Sequence, residues 1–222
     1  MSPLAEGLAL ILDMDGVIVD SNPVHREAWV AFNRRYGLET TPAMLERMYG
    51  KRNDEIIRDY FGDGLGPEEV AARSRAKEEL YREMAARRIE QMLVPGLRAF
   101  LETYRAAPMA VGSNAEPENV AFVLDCAGLR PYFRAVVDGH QAVRPKPHPD
   151  IYLRAAALLE VAPANCIVIE DSPTGVAAAK AAAMRVIGLR TTYVNLCGTD
   201  WNADNLESRD LTSWLVEQRP LV

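Results

Sequence analysis

Cysteine is scarce in this 222-residue chain, which contains three cysteines and no CxxC spacing. An odd number of cysteines without a paired spacing does not indicate a disulfide framework, and a chain of this length buries enough surface to fold without one. Cys166 lies in an apolar run and Cys126 on a helical pattern, with Cys197 as the third. We therefore expect most of these thiols to be packed in the interior of a protein from a reducing compartment.

Long apolar runs and basic blocks are also absent from the sequence. No segment approaches the roughly 20 consecutive apolar residues that span a bilayer, and the N-terminus lacks a basic region followed by a cleavage site. The net charge is −6 with no block of lysine and arginine, which argues against a nucleic-acid partner. We expect a soluble, cytoplasmic monomer without a membrane partner. A small phosphorylated ligand is still compatible, because a few placed cations and a bound metal can outweigh the overall charge within a pocket.

The most informative stretch begins with an unbroken apolar run at residues 8–12, which is typical of a strand buried on both faces of a parallel sheet. Asp13 and Asp15 follow this run, and residues two apart in an extended chain point the same way. Gly16 then permits a sharp turn. A capped turn is the simpler interpretation, but two neighbouring carboxylates repel each other. The pair therefore indicates that these carboxylates bind a cation or take part in a reaction at this strand end.

Residues 21–93 carry helical patterns and no strand candidate. Helices are predicted at residues 25–36, 44–48, 55–60 and 67–88, with an interruption at Gly50. Val94-Pro95-Gly96 then ends the helical segment. We predict two domains: residues 21–93 form an inserted all-helical cap domain, and residues 1–20 and 94–222 form the catalytic core.

Strands and helices alternate after the insertion. Short apolar strands are predicted at residues 109–112, 135–137, 166–169 and 185–189, separated by helices at 97–105, 117–127 and 150–160 and by one that opens at Ser172-Pro173. This alternation predicts an α/β fold with a doubly wound parallel sheet. Beyond Thr191 the pattern weakens, although residues 211–216 fit a closing helix.

Polar residues stand at the ends of the other predicted strands. Ser113 and Asn114 follow the second strand, Lys146 lies in the loop after the third, and Glu170 and Asp171 follow the fourth. Each has an ordinary alternative: a helix cap for Ser113 and Asp171, and a solvated side chain for Lys146. Open α/β sheets place their ligands at the carboxyl ends of the strands. We therefore expect these groups to converge with the two aspartates of the first strand.

This set of motifs resembles the haloacid dehalogenase superfamily, in the group that carries a helical cap inserted after the first strand. Within it, the chain is similar to the β-phosphoglucomutase-like phosphatases, and the resemblance covers residues 8–190 in order and spacing. The motifs that carry it are Asp13-Met14-Asp15-Gly16-Val17, Ser113-Asn114, Lys146-Pro147, and Glu170-Asp171-Ser172 followed by Gly175.

The resemblance implies catalytic roles. Asp13 would be the nucleophile that forms an aspartyl-phosphate. Asp15 would protonate the leaving oxygen as general acid and then activate water as general base. Ser113 and Lys146 would bind the transferring phosphoryl oxygens, and Lys146 would also neutralise Asp13.

The resemblance also implies a magnesium site. Mg²⁺ prefers oxygen ligands, and here it would take the carboxylates of Asp13 and Asp171 together with the backbone carbonyl of Asp15. Glu170 would be an outer or water-mediated partner. The metal would offset the clustering of four carboxylates.

Substrate binding would involve Asn114 in the core and cap residues His25, Lys51, Arg52 and Lys77. Lys51 and Arg52 follow the predicted interruption of the helices, and an arginine can grip phosphate with two donors. Lys77 lies on an apolar helix face, where its stem could simply cover apolar surface. His25 could orient Asp15 or the cap, although a packed histidine is the simpler interpretation.

The function that follows is Mg²⁺-dependent hydrolysis of a phosphomonoester, acting on a small phosphorylated metabolite such as a sugar phosphate. Asp15 argues against dehalogenases and phosphonatases of the superfamily, which lack that second carboxylate. A β-phosphoglucomutase is the alternative, and a catalytically silent binding module on the same fold is a third, although the chain retains Asp13. In the mutase the second motif continues into a serine and a Lys-Asn pair. Here the corresponding run is Ala115-Glu116-Pro117, whose carboxylate would repel a phosphate.

Overall fold

A computed structural model describes residues 3–48 and 51–221 of the chain. The chain divides into two compact units, one formed by Met1–Asp20 with Ile89–Val222 and the other by Ser21–Arg88. Residues 89–93 therefore lie in the first unit, whereas the sequence pattern assigned them to the helical insertion. The reason is hydrogen bonding: the Asp20 amide donates to the Met92 carbonyl at 2.7 Å, and Leu93 forms an antiparallel bridge with Val19.

The described residues of the second unit form helices joined by turns and loops, with no strand among them. Its helices form around an aromatic and aliphatic core in which Trp29 contacts Tyr60 edge to face, with ring centroids 5.4 Å apart. Pro67 opens the longest helix, since a proline fits the first turn without losing a hydrogen bond. The predicted interruption at Gly50 lies outside the described residues. The four helices are α1 (Asn22–Arg35), α2 (Pro42–Arg47), α3 (Asn53–Phe61) and α4 (Pro67–Ala86).

The first unit is built on a six-stranded sheet, in which every described pair of neighbouring strands is parallel. The order is β3-β2-β1-β4-β5-β6, so β1 lies between β2 and β4. All four residues of β1 are buried, as expected for a strand that is covered on both faces. The predicted doubly wound α/β fold is confirmed. The strands are β1 (Ala9–Leu12), β2 (Met109–Gly112), β3 (Ala135–Val137), β4 (Cys166–Glu170), β5 (Arg185–Leu189) and β6 (Trp201–Ala203).

Helices connect the strands of the first unit. α8 packs against the sheet through Ile151, Tyr152 and Ala155, all of which are buried. The connecting helices are α5 (Ile89–Met92), α6 (Leu97–Thr103), α7 (Pro117–Cys126), α8 (Asp150–Leu159) and α9 (Pro173–Ala181), and α10 (Arg209–Glu217) follows the last strand. Within the described residues, none of the helices is both long and apolar enough for a bilayer crossing.

The register of the sheet fixes where the functional groups emerge. Leu12, the last residue of β1, pairs with Val111 of β2 on one side and with Ile169 of β4 on the other. The residues that follow these three strands therefore leave the sheet at one edge. The chain order reverses at β1, and the crevice at such a switch point is where open α/β sheets bind ligands.

Two sequence expectations are wrong in detail. Cys126 and Cys197 are exposed and only Cys166 is buried, so most of the thiols are not packed in the interior. Cys126 is the last residue of α7, whose buried face is formed by other positions. The short edge strand β6 was not predicted, because its three residues show no extended apolar run.

Candidate active site

The site is organised around the end of β1. The amide of Asp13 donates to the Ile169 carbonyl at 3.0 Å, which extends the ladder with β4 by one residue and fixes the direction of the Asp13 side chain. The chain then turns sharply: the amides of Ile18 and Val19 both donate to the Met14 carbonyl. The Asp13 side chain is held, nearly buried, at the end of the central strand.

Gly16 permits this turn and also leaves room for a neighbouring carboxylate. Its φ is +81°, a conformation that residues with a Cβ rarely adopt. A Cβ at this position would lie 1.9 Å from Oδ2 of Asp171. The turn and the second acidic side chain therefore occupy adjoining space only because residue 16 is a glycine.

Lys146 joins two of the acidic residues. Its Nζ lies 2.6 Å from Oδ1 of Asp13 and 2.7 Å from Oε1 of Glu170, and its side chain is buried. The loop that carries it is fixed by Asn114, whose side-chain oxygen accepts the Lys146 amide hydrogen at 3.1 Å. A solvated lysine, the ordinary alternative, is therefore excluded here.

Glu170 is the hub of the buried network. Oε1 accepts hydrogen bonds from Lys146 Nζ and from the Tyr152 hydroxyl, the latter at 2.8 Å. Oε2 accepts from the amides of Asp171 and Ser172 and from the Ser172 hydroxyl at 2.8–3.0 Å. A Cβ at Gly175, in the first turn of α9, would lie 1.6 Å from Oε1, so this glycine makes room for the carboxylate. Five donors occupy the two oxygens of one fully buried side chain.

The other core residues predicted for the site lie close to the same edge. Asp15 is half-buried and close enough to Asp13 for its charge to act on that group. Ser113 is buried at the end of β2, and its Oγ accepts the Ala115 amide hydrogen at 3.1 Å, so a local turn-capping role is present. Asn114 is exposed. The structure thus brings together the polar groups that follow β1, β2, β3 and β4.

The residues predicted in the helical insertion form a separate set within the second unit. Lys77 is only 2% exposed, and its Nζ contacts His25 Nδ1 at 2.7 Å and Glu78 Oε1 at 2.8 Å. Burial, followed by the Lys77 charge, lowers the pKa of His25 to about 3. Lys51 and Arg52 are exposed. Their ion pairs at 3.6 and 3.5 Å join them to surface carboxylates of the same unit. The substrate-binding roles of these four residues stay predictions.

Comparison with known proteins identifies the family. A model of the family described as haloacid dehalogenase-like hydrolase matches residues 8–183, a range that begins just before β1 and ends after α9. The chain belongs to this family of hydrolases. The resemblance inferred from the four motifs is confirmed, and with it the assignment of the chain as an enzyme of the haloacid dehalogenase-like type.

The relatives of this haloacid dehalogenase-like hydrolase include both phosphatases and mutases. Fructose-1-phosphate phosphatase YqaB from Escherichia coli (strain K12) is 33% identical over 181 residues, which is 82% of this chain and 95% of that protein. Beta-phosphoglucomutase from Bacillus subtilis (strain 168) is 30% identical over 188 residues and 82% of each chain. The crystal structure of beta-phosphoglucomutase from Clostridium difficile superposes with a TM-score of 0.81 at 25% identity, covering 94% of this chain and 96% of that one.

Haloacid dehalogenase-like hydrolases generally use Mg²⁺, and the acidic cluster of this chain fits a divalent cation. Carboxylate oxygens of Asp13, Glu170 and Asp171 lie within 4.8 Å of one another, and all three side chains are buried. Because the oxygens of Glu170 already accept five hydrogen bonds, Asp13 and Asp171 are the members of the cluster best able to ligate a metal. Oxygen ligands of this kind suit Mg²⁺.

The charge balance of the cluster leads to the same assignment. Burial raises the pKa of Asp13 to about 7 against the opposing effect of Lys146, and raises that of Asp171 to about 8, with Glu170 and Asp13 adding to the rise. Glu170 differs: burial disfavours its charge, but Lys146 and the hydrogen-bond donors hold its pKa below the ordinary value. Lys146 therefore favours the charged form of Glu170, whereas Asp13 and Asp171 favour their protonated forms until a cation binds and stabilises their charged forms.

Sequence reasoning missed several residues of this hydrolase site. Tyr152 donates to Glu170 from α8, and Thr191 and Thr192 follow β5 at the same sheet edge. For the two threonines the sequence offered one signal, their position, since polar residues just after a buried strand of a parallel sheet reach the ligand-binding edge. Tyr152 lies inside α8 and had no such signal. The pattern beyond Thr191 was too weak for this signal to be used.

Proposed function

We propose that this chain is a Mg²⁺-dependent phosphomonoester hydrolase that acts on a small phosphorylated metabolite, a sugar phosphate, through an aspartyl-phosphate on Asp13. The observation that supports the proposal most is the placement of Asp13 at the end of the central strand with Lys146 Nζ 2.6 Å from Oδ1. The similarity to an E. coli protein named fructose-1-phosphate phosphatase YqaB supports a sugar phosphate as the substrate.

In the first step an Asp13 oxygen attacks phosphorus, the bond from phosphorus to the leaving oxygen breaks, and Asp15 supplies the proton that this oxygen needs. Asp13 must be ionised to attack. Its raised pKa of about 7 means that a cation is needed to favour the charged form near neutral pH. Lys146 supplies part of that charge. Mg²⁺, held by the carboxylates of Asp13 and Asp171 and the carbonyl of Asp15, would supply the rest and offset charge on the phosphoryl oxygens.

In the second step water attacks the phosphorus of the aspartyl-phosphate. Asp15, now ionised, accepts a proton from this water, and Asp13 leaves as a carboxylate. Lys146 and the Ser113 hydroxyl would donate to the phosphoryl oxygens in both steps. The same two aspartates thus alternate between attack, departure and proton transfer.

Asp15→Asn should slow hydrolysis in a manner that depends on the leaving group. The leaving group of an alkyl phosphate is a strongly basic alkoxide that needs the proton. The leaving group of an activated phenyl phosphate is a weakly basic phenoxide that can depart without it. General acid catalysis is worth about 10²–10⁴-fold, so we expect the loss to approach this range for a sugar phosphate and to be much smaller for p-nitrophenyl phosphate in the first step. Pre-steady-state release of p-nitrophenol and of sugar measures the two effects. Equal losses for both substrates would contradict the role of Asp15 as general acid.

A phosphatase is favoured over a mutase by the segment after Ser113. A mutase must hold a second phosphate while the first is transferred. In this chain the Glu116 carboxylate lies at the start of α7, where Oε2 is 2.7 Å from His140 Nε2. A carboxylate at this place disfavours a second phosphate nearby.

Phosphorus NMR with β-glucose 1-phosphate, Mg²⁺ and a trace of the bisphosphate as primer distinguishes the two reactions. We expect glucose and inorganic phosphate, and no release in EDTA. Rapid accumulation of glucose 6-phosphate with little free phosphate would show a mutase instead.

A wider panel of sugar phosphates, assayed for released phosphate, then finds the preferred substrate. Full activity in EDTA would exclude Mg²⁺ from the mechanism.

A further inference from the structure

Two consecutive threonines follow β5, and their hydroxyls contact parts of the site that come from two other strands. Oγ1 of Thr191 donates to the carbonyl of Gly16 at 2.5 Å, and the Thr192 hydroxyl is hydrogen-bonded to the Asp171 carboxyl group. β5 is separated from β1 by β4 in the sheet. The pair therefore connects the turn after β1 with the acidic residue after β4.

These groups share one small volume. A Cβ placed on Gly16 would lie 1.9 Å from Oδ2 of Asp171 and 3.0 Å from Oγ1 of Thr192. Both threonines are half-buried, and both lie beyond residue 183, where the match to the family model ends. These contacts are thus made by residues that follow β5 and that belong to none of the four motifs.

A hydroxyl next to the Asp171 carboxylate has a specific physical effect. Rotation about χ2 of an aspartate is broad, so an unrestrained carboxylate samples many orientations. A hydroxyl that donates to one of its oxygens fixes the plane of the group and leaves its other lone pairs available. Partners of this kind orient metal ligands, and their removal typically lowers metal affinity about 10–100-fold.

We propose that Thr192 is a positioning residue that orients the Asp171 carboxylate for a divalent cation, and that Thr191 holds the adjoining Gly16 turn through its carbonyl. This inference rests on the proposed Mg²⁺ site and assigns the end of β5 to it. The turn matters because Gly16 follows Asp15, whose carbonyl is a proposed ligand. If Thr192 had only a structural role, replacing it would lower the stability of the protein and leave its Mg²⁺ affinity unchanged.

The test is calorimetric titration of Mg²⁺ into the full-length protein, with thermal unfolding measured in parallel. Thr192→Val keeps the shape of the side chain and removes the donor, so we expect about a 10-fold or greater loss of affinity. Thr192→Ser keeps the hydroxyl and should bind within about two-fold of the wild type. Thr191→Val should also weaken binding. Thr103→Val is the matched control, because the Thr103 hydroxyl bonds only to the Ala99 carbonyl among the contacts described for it, within α6.

The outcomes separate this inference from the function on which it rests. Wild-type Mg²⁺ affinity in Thr192→Val would overturn the role of Thr192 and leave the proposed hydrolase intact. If the valine variant is unstable, Thr192→Ala removes the hydroxyl without placing a second methyl against the carboxylate, and wild-type affinity in that variant would overturn the role equally. A wild-type protein that binds no Mg²⁺ would overturn both the metal site and this inference.

Discussion

Asp13→Asn is expected to abolish phosphate release from every substrate, with a loss of more than about 10⁴-fold, while the protein folds normally. An amide nitrogen and a neutral carbonyl oxygen cannot replace a carboxylate as the nucleophile, so no aspartyl-phosphate forms. The fold should tolerate the change. The two side chains have nearly the same shape, and Oδ1 of asparagine can still accept the hydrogen bond from Lys146 that spans 2.6 Å in the native protein.

Steady-state phosphate release and mass spectrometry of enzyme quenched in acid together measure this effect. Wild-type enzyme should carry a phosphoryl group on the peptide that contains Asp13, and the variant should carry none. Asp125→Asn is a matched control, because that aspartate lies on the surface in an ion pair with Arg130. Substantial turnover by Asp13→Asn, or a phosphoryl group on another residue, would show that a different group is the nucleophile.

The parts of the site that could be predicted from sequence share one property: local pattern was sufficient. An unbroken apolar run predicted β1, and the known geometry of parallel sheets placed the groups that follow β1, β2 and β4 at one edge. Lys146 was found in the same way, from its place after β3. The structure adds that its side chain is buried between Asp13 and Glu170.

The rest depends on partners that are distant in the chain. Tyr152 and Glu170 are 18 residues apart, and Thr191 and Gly16 are 175 apart. Neither contact can be read from local sequence: a tyrosine on an apolar helix face is ordinary, and a threonine after a strand indicates the sheet edge without indicating its partner. The opposite pKa shifts of Glu170 and Asp171 could not be predicted from the sequence either. They depend on which of the two adjacent carboxylates accepts the hydrogen bonds.

That difference predicts opposite effects on stability for two neighbouring, isosteric substitutions. In Glu170→Gln, an amide NH₂ replaces an oxygen that accepts hydrogen bonds, so donors face donors in a buried place. Lys146 also loses the negative charge of Glu170, which is the partner with the lowered pKa. Breaking a buried pair typically costs about 3–5 kcal/mol, which corresponds to a fall in Tm of about 6–20 °C for a chain of this size.

Asp171→Asn should behave in the opposite way when no metal is bound. Because burial and neighbouring carboxylates raise the pKa of Asp171 to about 8, the folded protein retains a proton there that the unfolded chain releases above about pH 4. The free energy of unfolding of the metal-free wild type therefore falls as pH rises from about 4 to about 8, and Asp13 contributes in the same direction. Asparagine carries no charge at any pH and removes the part of this fall that belongs to residue 171.

Thermal unfolding in EDTA at about pH 9 should therefore give the order Asp171→Asn above wild type, and wild type above Glu170→Gln. Near pH 4 the advantage of Asp171→Asn should vanish, because the wild-type carboxyl is then protonated in the folded state. Saturating Mg²⁺ should place the Tm of the wild type above that of Asp171→Asn. A ligand that binds the folded wild type stabilises it, and it finds no complete site in the variant. A lower Tm for Asp171→Asn at about pH 9 in EDTA would show that the Asp171 carboxylate is already balanced without a cation, and that the electrostatic reason for placing a metal there is wrong.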